Sequence, residues 1–346
     1  MTHCTDTDSP RLSLALQGGG AHGAYGWGVL DRLLEEDYPI VAISGASAGA
    51  LNGTALAVGL TTGGRQGARE GLERLWRTVA RYSPLQALDS TAWTAPLFEP
   101  WVRRSLEIGK LFGRYVAPLS PGLRDMGSLR GVVAEAIDLS VLHRDDCVPL
   151  HIAATRVSNG AARIFSGSEI TVDALMASAC LPDLFGPVEI DGECYWDGGF
   201  SANPALEPLI FGGCGQSDVL IVQITPFATQ GTPESLVEVM GRMSDIGFNA
   251  CLLRDLKALT EVQAVVRRAP EAAEAFGPLV HTGLHLMEAP HALAQRGPAG
   301  KIDTRWSQLE ALRDLGRATA DAWLRANGHR LGKGSTLTEL PEAVAA

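Results

Sequence analysis

The order of apolar segments predicts an α/β fold, a central, mostly parallel sheet flanked by helices on both faces. Three observations carry this. Residues 11–44 read strand, glycine loop, helix, strand, a βαβ unit of ordinary length whose crossover should be right-handed. A second strand-to-helix passage follows at once, through Gly45-Ala46-Ser47-Ala48-Gly49. Buried-type strands recur at residues 150–156 and 219–225, with helical stretches between them.

Taken in order, residues 11–17 centre on Leu-Ser-Leu-Ala-Leu and run straight into Gly18-Gly19-Gly20. A helix is expected over 23–37, with Val29, Leu30, Leu33 and Leu34 at helical spacing, and Pro39 ends the connection. Residues 40–44 form the next strand and 48–58 a helix of small residues. Residues 63–71 read as a loop and 72–80 as a helix. Residues 83–127 are irregular and rich in Pro, Trp and Arg, so 65–127 is expected to be an insertion outside the sheet. Residues 129–138 look helical, 150–156 a strand, and 162–165 its neighbour. Thr171 caps a helix that Pro182 stops. Residues 188–196 are the clearest hairpin, because Asp191-Gly192 is a favoured two-residue turn. Residues 233–266 and 307–327 read as helices and 279–287 as a last strand. No composition shift marks a boundary, so one domain is expected over 10–330, with a flexible tail at 331–346.

Of the 346 residues, 46% are hydrophobic and 20% charged, an ordinary globular composition. The net charge of −10 argues against nucleic acid as a partner. No apolar run is long enough to span a bilayer, and residues 1–10 lack the basic and apolar pattern of a secretory signal. The six cysteines are scattered without metal spacing, which suits reduced thiols and a cytoplasmic protein with no metal site.

Three motifs could carry chemistry. Gly45-Ala46-Ser47-Ala48-Gly49 is a GxSxG between a strand and a helix. Such an elbow lifts a serine hydroxyl onto an exposed apex above a helix N-terminus. The pentapeptide alone is weak, and a serine N-cap is the plain alternative. Gly18-Gly19-Gly20-Ala21-His22-Gly23 exposes consecutive backbone N–H groups, which suits an oxyanion hole or another anion cradle. Gly23 is followed by Ala24-Tyr25, so the Walker pattern fails, and the strand ending in Ser44-Gly45 lacks the acid that a dinucleotide site needs. Asp197-Gly198-Gly199 offers an aspartate whose neighbours let the backbone fold closely around it. A general base and an ordinary Asp-Gly turn both remain open there. None of the eight histidines has a context that marks it as a base, and His22 in the glycine loop is the nearest in sequence.

Together these motifs resemble the patatin-like phospholipase family. The order is a glycine loop after the first strand, GxSxG after the second, and Asp-Gly-Gly 150 residues beyond Ser47. Ala177-Ser178-Ala179-Cys180-Leu181-Pro182 is similar to the helix end that precedes the family's aspartate strand. The resemblance covers residues 11–220. It implies a patatin-like fold and hydrolysis of carboxylic esters of lipids, of phospholipase A type or broader. It implies a Ser47–Asp197 dyad without histidine, no cofactor and no metal. The oxyanion hole would come from Gly18, Gly19, Gly20 and Ala21, with Gly45, Gly49, Gly198 and Gly199 as supporting motif residues. His22 stands where the family usually has Arg or Lys.

Two further expectations follow. Residues 65–114 hold nine basic against five acidic residues, with Trp76, Trp93 and Trp101 among them, which suggests peripheral contact with a membrane or lipid surface. A solvated charged helix with core tryptophans accounts for the same pattern. The alternatives to a lipid hydrolase are a non-catalytic anion- or lipid-binding protein of this fold, and an ordinary esterase with a histidine base.

Overall fold

The computed structural model describes residues 9–83, 126–212, 217–229, 231–341 and 344. Eight strands form one mixed sheet in the order β5-β6-β3-β2-β1-β7-β8, with β4 also paired to β3. The strands are β1 Leu12–Leu16, β2 Ile40–Ala46, β3 Leu150–Arg156, β4 Ala162–Ser166, β5 Val188–Ile190, β6 Glu193–Asp197, β7 Asp218–Val222 and β8 Leu284–Met287. The pairings β3–β2, β2–β1, β1–β7 and β7–β8 are parallel, whereas β4, β5 and β6 run antiparallel to their neighbours. Asp191 and Gly192 turn the β5–β6 hairpin with φ of 52° and 79°. Two positive φ values in a row are what a type I′ turn requires.

The helices are α1 Gly23–Leu33, α2 Ala48–Arg81, α3 Gly127–Ala136, α4 Val172–Ser178, α5 Glu207–Phe211, α6 Leu236–Arg268, α7 His291–Ala294, α8 Gly297–Gly300 and α9 Trp306–Asn327. The sheet is buried on both faces, as an open α/β sheet must be. Leu12, Leu14, Leu16, Ile43, Leu220 and Val222 join one core with α1, α2 and α9. Ala15, Ala42, Val219, Ile221, Leu284 and Leu286 join a second core with α5 and α6.

Two parts differ from the sequence expectation. Residues 65–81 are not an irregular insertion. They continue α2 beyond a kink at Gly63 and Gly64, and bury Ala68, Leu72, Leu75 and Trp76. The arginines of this stretch all have partners among the described residues. Arg69 pairs with Asp31 and Glu35, Arg77 with Glu73, and Arg81 with Glu135. Arg65 donates to the Tyr38 carbonyl, and Arg74 to that of Ala136. Residues 84–125 of the expected insertion, with Trp93 and Trp101, lie outside the described residues. The second difference is the tail. Leu331 and Leu337 are buried, Leu337 N–H donates to the Leu284 carbonyl, and Gly332 N–H donates to Asp218. These bonds dock the described part of the tail on β7 and β8.

Candidate active site

β2 ends at Ala46 and α2 begins at Ala48, so Ser47 alone makes the turn. Its φ of 53° and ψ of −125° lie where side chains other than glycine are strained. The surrounding crowding enforces this. A Cβ on Gly49 would lie 2.1 Å from the Leu16 carbonyl oxygen, and one on Gly45 2.5 Å from the Gly49 carbonyl. Only glycines let the elbow close this tightly. Ser47 N–H donates to Ser178 Oγ at 3.0 Å, which ties the turn to the end of α4. The Ser47 hydroxyl does not cap α2, so the simple N-cap alternative does not describe it.

The sheet register brings Asp197 to the same place. Along one edge of β3, β2 pairs from Leu150 to Ala153, and Ala46 stands opposite Ala153. β6 takes over that edge, with Asp197 opposite Ala154. The residue after Ala46 and the last residue of β6 therefore arrive side by side. Asp197 is fully buried. Its N–H donates to the Cys180 carbonyl, and its own carbonyl accepts from Thr155 Oγ1. Oδ1 accepts the Gly199 N–H at 2.8 Å. Gly198 passes so close to Ala153 that a Cβ there would be 2.1 Å from its carbonyl oxygen, and Gly199 lies against the Phe248 ring. Oδ2 is buried and has no hydrogen-bond partner among the described residues. Burial pushes the carboxyl pKa up to about 7, with the Gly199 N–H and the Ser47 hydroxyl pulling it down by less. The Ser47 hydroxyl is thus a hydrogen-bonding neighbour that lowers the carboxyl pKa, although Oδ2 has no partner within ordinary hydrogen-bond geometry among the described residues.

The glycine loop closes the site from β1. Gln17 anchors it, with Oε1 accepting the Ile224 and Thr225 N–H groups and Nε2 donating to Asn249. Gly18 N–H donates to Asn203 Oδ1 at 2.7 Å, and Ala21 N–H to the Lys301 carbonyl at 2.8 Å. Those two amides are used by the fold itself. Gly19 and Gly20 N–H make no hydrogen bond among the described residues. Gly20 has φ +61°, and a Cβ there would lie 2.4 Å from the Lys301 carbonyl oxygen. Gln17, Ser178, Asn203 and Lys301 thus position the site, and sequence reading singled out none of them. Ser178 lies inside the motif before Pro182, which is the one local signal among the four.

A family model described as patatin-like phospholipase matches residues 14–210, more than half of the chain. The chain belongs to the patatin-like phospholipase family. That family is one of lipid acyl hydrolases. A search of curated proteins gave no match. Among solved structures, the chain is similar to VipD from Legionella pneumophila at 15% identity, with 89% of this chain and 67% of that one covered and a TM-score of 0.35.

In this patatin-like chain Ser47, Gly20 and Ala21 border a cavity of about 350 Å³. Its walls are largely apolar, from Leu51, Trp76, Val79, Leu129, Leu181 and Phe185 among others. No histidine lines it among the described residues. His22 is buried and lines a different cavity on the far side of the loop. His151 bonds Ser166 from β3, and His285 bonds Asp218, the first residue of β7, at the opposite end of the strands from Ser47. No described helix is long and apolar enough to cross a membrane.

Proposed function

We propose that the protein is a serine acyl hydrolase that cleaves carboxylic esters of lipids through Ser47 and Asp197. The observation that carries the reading is the open Oδ2 of a fully buried aspartate beside a serine held at positive φ. Ser47 Oγ attacks the ester carbonyl while Asp197 Oδ2 takes its proton. A carboxyl with pKa about 7 can accept that proton near neutrality and return it to the leaving alkoxide. The Gly19 and Gly20 N–H groups, which the fold leaves unused, hold the developing oxyanion, and the N-terminus of α2 favours the same charge. The Gly18 and Ala21 amides support the loop rather than the oxyanion. The acyl chain lies in the apolar cavity, and water then cleaves the acyl-enzyme with Asp197 as base.

Contact with lipid aggregates is assigned to a surface other than the basic stretch, whose described arginines are already ion-paired or hydrogen-bonded. Leu236, Val239, Met243 and Ile246 recur at helical spacing and stand exposed along α6. Such a stripe suits a cytoplasmic enzyme that meets a membrane from one side.

The test is hydrolysis of a p-nitrophenyl ester series, with fluorophosphonate labelling, by the wild type and Ser47→Ala. Turnover and labelling in the wild type, both lost in the variant, are expected. Full turnover by Ser47→Ala refutes the assignment. An inert, unlabelled wild type favours a non-catalytic lipid-binding protein.

A further inference from the structure

A second cavity, of about 450 Å³, lies across the glycine loop from the first. Gly20 and Ala21 line the apolar cavity, while His22, the next residue, lines the second. Lys301 lines both, and its carbonyl accepts the Ala21 N–H. The loop proposed to hold the ester oxygen thus borders both an apolar chamber and a polar one, which share Lys301. An ester bound at Ser47 has two arms to place, the acyl chain and the alcohol, and only the first suits the apolar chamber.

The charges in the polar chamber are specific. Lys301 Nζ is matched by Asp245 Oδ1 at 2.5 Å, so this pair is internally neutral. Arg242 is different. Its Nη2 donates to the Phe227 carbonyl at 3.2 Å, Nη1 is buried without an acceptor, and it forms no ion pair among the described residues. A guanidinium cannot shed its charge, so it lacks a counter-ion. Opposite in sign are Glu234, exposed and in no ion pair among the described residues, and Glu238, one turn before Arg242 on α6. Glu238 accepts the Glu234 and Ser235 N–H groups, which keep its carboxyl below its ordinary range and hence ionised at neutral pH. One unmatched cation and two carboxylates thus line one chamber.

We propose that this chamber receives the zwitterionic phosphate–ammonium headgroup of a phospholipid, with the phosphate on Arg242 and the ammonium group on Glu234 and Glu238. The assignment rests on the reading of Ser47 as the nucleophile, since that places the rest of the substrate. A purely anionic headgroup satisfies Arg242 but meets two carboxylates, and an uncharged glyceride satisfies neither. Charge-assisted hydrogen bonds to phosphate are among the stronger polar contacts, so the preference should be measurable.

The experiment is calorimetric titration of the Ser47→Ala full chain with glycerophosphoethanolamine, glycerophosphoglycerol and inorganic phosphate. Saturable binding of glycerophosphoethanolamine is expected, about tenfold or more tighter than the other two. Arg242→Gln and Glu234→Gln should each weaken it by about tenfold or more. Glu234 is exposed, so that variant tests the chamber even if Arg242→Gln unfolds. Equal binding of all three probes, no saturable binding, or indifference to Glu234→Gln overturns the proposal. Absent binding with a reactive Ser47 removes the headgroup assignment alone. Specific binding with an unreactive Ser47 in the wild type supports the chamber and removes the catalytic reading.

Discussion

Replacing Asp197 with asparagine should destroy activity and, at alkaline pH, stabilise the protein. Asparagine keeps the shape and can still accept the Gly199 N–H through its oxygen. In the unfolded chain the aspartate carboxyl titrates near 3.8, and in the fold burial moves it up to about 7. Below the lower value both states are protonated and ionisation costs the fold nothing. Between the two values the unfolded state ionises first, and stability falls by about 1.4 kcal/mol per pH unit. Above the upper value both states are ionised and the loss is complete, at about 4 kcal/mol. Asparagine escapes that loss. Urea unfolding should therefore show little difference between wild type and Asp197→Asn near pH 4, and a growing advantage for the variant up to about pH 8. Ester hydrolysis should meanwhile fall by about 100- to 10,000-fold, the usual worth of a positioned base. Wild-type kcat/KM should rise with pH through about 7, as the carboxyl loses its proton. A variant that keeps activity within tenfold, or that is the less stable protein at pH 8, refutes the assignment of a desolvated base.

Other substitutions probe the frame. Ser47→Gly and Ser47→Ala should both be inactive, but glycine should be the more stable by about 1 kcal/mol, because φ is 53° there; equal denaturation midpoints count against strain at the elbow. Gly20→Ala drives a Cβ into the Lys301 carbonyl. It should lower kcat on short esters by about 100-fold or more if the Gly20 amide meets the oxyanion, and unchanged kcat removes that donor. Burial raises the Asp218 carboxyl, but hydrogen bonds from His285, Gly332 and Gly283 outweigh this and leave it below its ordinary range. Its stabilising effect is therefore present above the ordinary carboxylate range and is lost as pH falls through the depressed folded value. Asp218→Asn at neutral pH should cost about 1–3 kcal/mol and speed tryptic cleavage after Arg330 and Lys333; unchanged cleavage means that the tail is held by other contacts.

The fold was legible where its causes are local. Short apolar runs marked β1, β2, β3 and β7, and Asp191-Gly192 announced the hairpin because its two positive φ values need those residue types. The three motifs came from the same kind of signal, since glycines are demanded wherever backbones touch. Cooperation between distant segments was hidden. Nothing near Gly18 or Ala21 in sequence says that Asn203 and Lys301 occupy their amides, so four consecutive residues read as equivalent donors. Gly63-Gly64 do interrupt the helix, but the expected loop ends there, because tertiary packing of Ala68, Leu72, Leu75 and Trp76 restores the helix at once. The arginines after it looked like a basic surface because Asp31 and Glu135 lie on other helices and Glu35 in the turn after α1. The polar tail looked loose because its anchors, Asp218, Leu284 and His285, lie on β7 and β8.

The handover along β3 has a mechanical consequence. The proposed nucleophile and base are carried by adjacent rungs of one hydrogen-bonded ladder, Ala46–Ala153 and Asp197–Ala154, so their separation is fixed by strand pairing and not by any surface connection. Substitutions at Leu51, Val79, Leu129 or Phe185 in the apolar cavity can therefore retune which substrates are admitted while the spacing of Ser47 and Asp197 stays constant. Loss of activity without loss of the fold should arise most readily from lesions that slip β6 against β3 by one residue, since that would turn Asp197 to the opposite face of the sheet.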